Sequence, residues 1–188
     1  LDTNRIRMIL RLICHPDTPP RAVSAIEVEI TATDWRDALI EYVVHDADML
    51  VVPEPATPTR ADGLWQTTCF ELFVRPEGAE GYFEFNFSPS SQWAAYSFAA
   101  HRTGRQNLEV SVEPHIGAVR TEAGFKLEVD VDFSELANRI CTANLTAVIE
   151  EADGTKSYWA LAHPPGEPNF HDPACFTLEL PAARPNQP

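Results

Sequence analysis

LWQTTCFELFV at 64–74 and GYFEFNFSPSSQWAAYSF at 81–98 are the runs on which the reading of this 188-residue chain turns. In the first, Phe70, Leu72 and Val74 alternate with Cys69, Glu71 and Phe73. In the second, Phe83, Phe85 and Phe87 alternate with Tyr82, Glu84, Asn86 and Ser88. A period of two places successive side chains on opposite sides of a strand. RPEGAEG at 75–81 and SPSSQ at 88–92 carry turn residues, so three consecutive strands are expected to meander antiparallel with the phenylalanine face turned to a core. The opposite face is expected to be polar, carrying Glu71, Glu84 and Asn86, with Trp65 just before the first strand where a loop presents it.

The same alternation extends outward from this centre. Ile26, Val28 and Ile30 oppose Glu27, Glu29 and Thr31, and Phe125, Leu127, Val129 and Val131 oppose Lys126, Glu128, Asp130 and Asp132. Leu108, Val110 and Val112 predict a strand over 108–113 on the same grounds. Residues 38–44 are apolar on both sides, so strand and helix compete there. Met8–Cys14 reads as a short edge strand stopped by the prolines of HPDTPP. Phe133–Ile140, with Ser134 as N-cap, is the expected place for one short helical turn. Asp153 and Gly154 turn a hairpin between 145–150 and 157–162, and Cys175–Leu180 closes the chain. About ten short strands without a βαβ rhythm predict an all-β antiparallel two-sheet sandwich with jelly-roll or Greek-key connections.

Two segments are too elaborate for simple connections. Residues 45–63, HDADMLVVPEPATPTRADG, deliver the chain to Trp65 and bring Arg60 with them, and HPPGEPNFHDP at 163–173 is rigid and non-repetitive. Met8 looks like a native start, so the domain is read as 8–181, with 1–7 a remnant of cloning and 182–188 a frayed tail.

Composition bounds the function. A formal charge of −14 argues against nucleic acid or anionic lipid as partner, because both require clustered Lys and Arg to replace counterions. No stretch approaches a membrane span or a signal-peptide core, and Cys14, Cys69, Cys141 and Cys175 are spaced for neither a zinc knuckle nor a redox motif. Reduced, buried thiols in a cytoplasmic protein are expected. His163, His171, Asp172 and Cys175 match no zinc spacing, and no metal or cofactor is expected. Glu71 and Glu84 can be drawn as a glycosidase pair, but paired acids on an exposed sheet are commoner than active sites, and no catalytic triad or reactive cysteine stands out.

LWQTTCFELFV, YFEFNFSPSSQWAAYSF and, near the end, WALAHPPGEPNFHDPACFTLEL at 159–180 together resemble the bacterial DOMON-like proteins of the family 9 carbohydrate-binding-module superfamily, over most of 20–180. The tryptophan followed after five residues by a strand glutamate is the most telling part. The resemblance implies a β-sandwich that holds a sugar or a haem at one end and performs no reaction. It casts Trp65 as the aromatic platform, Glu71 as the acid that accepts from sugar hydroxyls, and Asn86 as the amide on the neighbouring strand. Where sugar-binding members place a second tryptophan, this chain has Phe170 and His171. Haem requires axial histidine or methionine, for which Met49, His163 and His171 are present without a supporting spacing.

The chemistry agrees with a sugar: a pyranose has apolar C–H faces and a hydroxyl rim, and needs flat aromatic surface beside carboxylate and amide groups. Trp65 supplies the first and Glu71, Asn86 and Arg60 the second. The site is expected at one end of the sandwich, between Trp65 and the 163–172 loop, with Phe170 or His171 as the far wall. Two other readings stay open at this point. Trp65 can instead close the core with Glu71 facing solvent, and the sheet face can instead meet a protein partner.

Overall fold

A computed structural model describes residues 6–32, 36–136 and 138–182. In chain order its strands are β1 (Ile6–Arg11), β2 (Ile13–Cys14), β3 (Ala25–Ala32), β4 (Asp37–His45), β5 (Cys69–Pro76), β6 (Tyr82–Phe87) and β7 (Trp93–Phe98). They continue with β8 (Gln106–Asn107), β9 (His115–Thr121), β10 (Gly124–Asp132), β11 (Cys141–Glu150), β12 (Lys156–Ala160) and β13 (Leu178–Leu180). Five form a sheet in the order β1-β3-β4-β10-β9. The other eight run β2-β12-β11-β5-β6-β7-β8, with β13 beside β11. All pairings between these strands are antiparallel. The chain passes between sheets from β4 to β5 and from β10 to β11, while β4 pairs with β10 and β5 with β11. That nested pairing is of the jelly-roll kind, and the protein is an all-β two-sheet sandwich.

The core lies between the two inner faces. Val28, Ile40, Tyr42, Phe125, Leu127 and Val129 come from the smaller sheet, and Phe70, Leu72, Phe85, Phe87 and Leu145 from the larger. Phe83, partly buried, packs against the same cluster, so all three alternate phenylalanines of β6 face inward. Residues 38–44 are strand, with Ala38, Ile40, Tyr42 and Val44 buried. The Tyr42 hydroxyl donates to the Glu71 carbonyl at 2.8 Å, a bond that ties the smaller sheet to the central strand of the larger.

Several expectations are corrected. β1 begins at Ile6, paired with Ala32, so residues 6 and 7 belong to the sheet rather than preceding the domain; residues 1–5 and 183–188 lie outside the described residues. The strand expected over 108–113 lies instead at 115–121, where β9 pairs with β10. Leu108 and Val110 still pack against the core, because alternation records which side chains reach it and does not supply a backbone partner. The described part of 133–140 forms turns rather than a helix; single 3-10 turns occur at Ala47–Met49, Leu64–Gln66 and Pro173–Cys175.

The largest correction concerns the outer face of the eight-stranded sheet. It is not a wet polar surface. Phe73, Tyr82, Tyr96, Phe98, Val148 and Ala160 form a second apolar cluster there with Phe170, Cys175 and Phe176 from the 163–177 segment, which folds across the sheet.

Candidate functional site

The segment that crosses the sheet is pinned at several points. Asn144, fully buried on β11, donates from Nδ2 to the Phe170 carbonyl at 3.2 Å and accepts the Leu161 N–H on Oδ1 at 3.3 Å. Asp172 caps the 3-10 turn that follows it by accepting the Ala174 N–H at 2.8 Å. Asn169 Oδ1 accepts from Arg102 Nε and Nη2 at 3.2 and 3.0 Å, and His163 Nε2 lies 2.8 Å from the Ile13 carbonyl. The histidines and Asp172 of this segment are therefore tied to the loop and its neighbours, and the described residues contain no cluster able to hold a metal.

Trp65 is set by a different device. Gly63, at φ 75°, opens a single 3-10 turn closed by the Gln66 N–H on the Gly63 carbonyl at 3.1 Å. A positive φ is cheap for glycine, and here it turns the chain sharply enough to bring Trp65 over the sheet. Lys156 Nζ holds the Gln66 carbonyl from β12. Trp65 remains 52% exposed.

Between these two elements lies a cavity of about 470 Å³ on the outer face of the large sheet. That is ample for a small ligand. Its floor is made by outward side chains of five strands: Glu71 on β5, Glu84 on β6, Phe98 on β7, Val148 on β11 and Tyr158 on β12. Trp65, Pro168, Phe170 and His171 stand around it, with Arg102 and Arg105 from the turn between β7 and β8. The structure thus brings together Trp65, Glu71, Phe170 and His171. It places them on the face of the sheet and not at the end of the sandwich, because the 163–177 segment folds back over the sheet.

Arg60 and Asn86 are not in the wall. Arg60 Nη2 donates to the Ala95 carbonyl at 2.8 Å, and its guanidinium lies 5.8 Å from the Trp93 ring centroid and 5.1 Å from that of Tyr96. Asn86, buried on the same face of β6 two residues from Glu84, donates from Nδ2 to Glu84 Oε1 at 2.7 Å, so it holds the acid and does not line the cavity. Met49, the methionine weighed for haem, does not line the cavity either.

Nor is either acid solvent-facing: Glu71 is 3% exposed and Glu84 6%. Among the described residues each has one side-chain donor, Thr146 Oγ1 to Glu71 Oε2 at 3.0 Å and Asn86 to Glu84. Burial pushes the Glu71 carboxyl up to about 8, helped by the neighbouring charge of Glu84 and opposed by the Thr146 bond. Burial raises Glu84 too, while Asn86, Arg105 and Arg102 pull it back. His171 is pushed down to about 4 by burial and by Arg102 and His101. At neutral pH it is an uncharged ring, with Nδ1 2.8 Å from the Tyr82 hydroxyl and Nε2 3.8 Å from Glu84 Oε2, too far for a hydrogen bond. A tautomer protonated on Nε2 suits both neighbours, with the Tyr82 hydroxyl donating to Nδ1. The Tyr82 oxygen also accepts the Arg102 backbone N–H at 3.1 Å. The cavity thus offers an open indole, partly exposed aromatic edges, two under-satisfied acids and two cations.

No family model matches the chain, and no curated protein matches it in sequence. Solved structures do resemble it. One is a protein from Bacteroides uniformis ATCC 8492 proposed to bind carbohydrate, at TM-score 0.68 and 18% identity, covering 90% of this chain and 84% of that one. Another is a family 9 carbohydrate-binding module from Caldicellulosiruptor kristjanssonii in complex with cellotriose, at TM-score 0.53 and 10% identity, covering 93% and 85%. The chain shares its two-sheet β-sandwich fold with both structures. At these identities the likeness concerns the fold.

Glu84, Phe98, Arg102, Arg105, Val148, Tyr158 and Pro168 line the cavity without having been singled out as ligand contacts in the sequence. Glu84 carried a usable signal, since it shares the outward parity of Glu71. The basic turn HRTGRQN at 101–107 carried another, standing out in a chain with 28 acidic and 14 basic residues. Tyr158 and Val148 read as ordinary strand residues, and only the pairing of β11 with β12 puts them in the floor.

Proposed function

We propose that this chain is a non-enzymatic, DOMON-like carbohydrate-binding domain that holds a sugar ring in the cavity on its large sheet. One observation carries the reading. Trp65 stands half exposed at a concave site onto which buried Glu71 and Glu84 converge. The indole provides a flat surface for the C–H face of a pyranose, and Phe170 and His171 contribute the aromatic surface of the opposite wall. The acids meet the hydroxyl rim: an oxygen of Glu71 or Glu84 not taken by Thr146 or Asn86 accepts from a hydroxyl, and a protonated Glu71 donates to one. The carbohydrate-binding-module-like fold supports the same assignment.

A docking face for a protein partner needs a flat apolar patch, and a concave, acid-floored cavity suits a small polar ligand better. The test is a thermal-shift screen of saccharides on wild-type protein and on Trp65→Ala. A sugar at about 100 times its Kd should stabilise the fold by about 2.7 kcal/mol, and the variant should lose that response. A screen in which no sugar shifts the transition would sink the proposal, and a Soret band on the purified protein would replace it with haem.

A further inference from the structure

The basic turn between β7 and β8 is the part of the cavity that binding of a neutral sugar does not require. Its backbone is built with care. Arg102 holds φ 54°, a left-handed conformation uncommon for a non-glycine residue, and Gly104 holds φ 65° where a Cβ would meet the Ala99 Cβ at 2.7 Å. The Thr103 N–H on the Ala100 carbonyl and the Ala99 N–H on the Thr103 carbonyl, both at 3.0 Å, close the turn.

The two guanidinium groups it presents are held by uncharged partners. Arg102 meets the amide oxygen of Asn169 through Nε and Nη2, which leaves the rest of its donor fork without a partner among the described residues. The Arg105 guanidinium lies 5.0 Å from the Tyr96 ring centroid and makes no hydrogen bond among the described residues. Neither has a carboxylate within ion-pair distance among the described residues, although acids outnumber bases two to one and Arg7, Arg21 and Lys126 all find one. Both still sense the cavity, since each pulls the Glu84 carboxyl down from where burial would put it.

From this geometry we infer that the ligand is an acidic saccharide, a uronic acid residue whose carboxylate is taken by Arg102 and Arg105 while its ring lies against Trp65. The inference rests on the carbohydrate reading and narrows it. A carboxylate matches a planar guanidinium in a two-point contact, and an arginine already stacked on tyrosine gives up little freedom to make it. The acids on the floor do not oppose this. Glu84 is already bonded to Asn86, and burial beside Glu84 favours the protonated form of Glu71, which lowers the negative charge that faces the two arginines.

The experiment is calorimetric titration of the whole chain with matched pairs: glucose and glucuronate, galactose and galacturonate, mannose and mannuronate. Glucose 6-phosphate is added as a separate anion. The expected result is that one uronate binds roughly 10-fold to 100-fold more tightly than its neutral partner. That ratio should collapse towards one in Arg105→Gln and in Arg102→Gln, and should fall for wild type as salt is raised. The salt series needs no variant, so it holds even if a substitution disturbs folding. Neutral sugars that bind as well as their acids would overturn this inference and leave the carbohydrate reading standing. Binding by no saccharide at all would overturn both, and a stronger response to glucose 6-phosphate than to any uronate would overturn the carboxylate.

Discussion

Two places in this protein bury glutamate, and they do so for opposite ends. Glu151, just past β11, is fully buried, and its carboxylate accepts the backbone N–H groups of Arg21, Ala22 at 2.6 Å and Val23 at 3.2 Å. It clamps the segment between β2 and β3 onto the β11–β12 hairpin. Glu71, on the central strand of the same sheet, is almost as deeply buried but has one hydroxyl donor, the neighbouring acid Glu84 and a cavity. A buried carboxylate with its lone pairs met by fixed donors is a structural clamp. One left short of donors beside a hollow is poised for a ligand to complete it.

The contrast is most sharply tested at the clamp. Glu151→Ala leaves three N–H groups without their acceptor and should cost about 3 to 5 kcal/mol in urea unfolding. A loss under ~1 kcal/mol would mean that water replaces the carboxylate there, and the distinction between the two sites would weaken.

Next in size is a pH effect. Glu71 is raised from 4.5 to about 8 on folding, so the folded state binds the extra proton and stability falls as pH rises between those values. His171, lowered from 6.5 to about 4, has the opposite slope between 4 and 6.5. The two offset each other up to about pH 6.5. From there to about pH 8 the carboxyl acts without that counterweight, and stability should fall by at most about 2 kcal/mol. Glu71→Gln should flatten most of that fall; an unchanged profile would mean that the acid is better solvated than its burial implies.

Trp65→Ala separates binding from folding. Saccharide stabilisation should vanish while the unfolding free energy changes by less than ~1 kcal/mol, because the indole is half exposed and stands outside both apolar clusters. The smallest effect on binding belongs to Arg60→Ala. Its guanidinium is committed to the Ala95 carbonyl and two rings, so affinity should stay within about twofold even though the lost contacts cost about 1 kcal/mol of stability. A large loss of affinity there would return Arg60 to the site.

How much of this was legible in the sequence follows from the range of the interactions. The inward parity of Phe70, Phe85 and Phe87 is local, written by the two-residue repeat of a strand, and the sandwich follows from many such strands. Trp65 and Glu71 could be proposed together because they stand close along the chain and fit a known pattern. What the other side of the sheet meets is not local. Glu84 and Glu71 read as wet because nothing in 64–98 announces that residues 163–177, far along the chain, will cover that face. For the same reason 108–113 reads as a strand: side-chain alternation is visible, and the missing backbone partner is not.

The sequence by itself determined the all-β class, the inward faces of the central meander and the acidic, aromatic character of the runs flanking Trp65, since each depends on neighbours a few residues apart. Only the tertiary structure decided that Arg60 is spent on the Ala95 carbonyl and Asn86 on Glu84 while Arg102, Arg105 and Tyr158 line the cavity, and that the acids share that cavity on the sheet face. The physical reason is that a side chain's solvation is set by whatever packs over it. Here that cover comes from chain brought back by β11 and β12 and held down by Asn144.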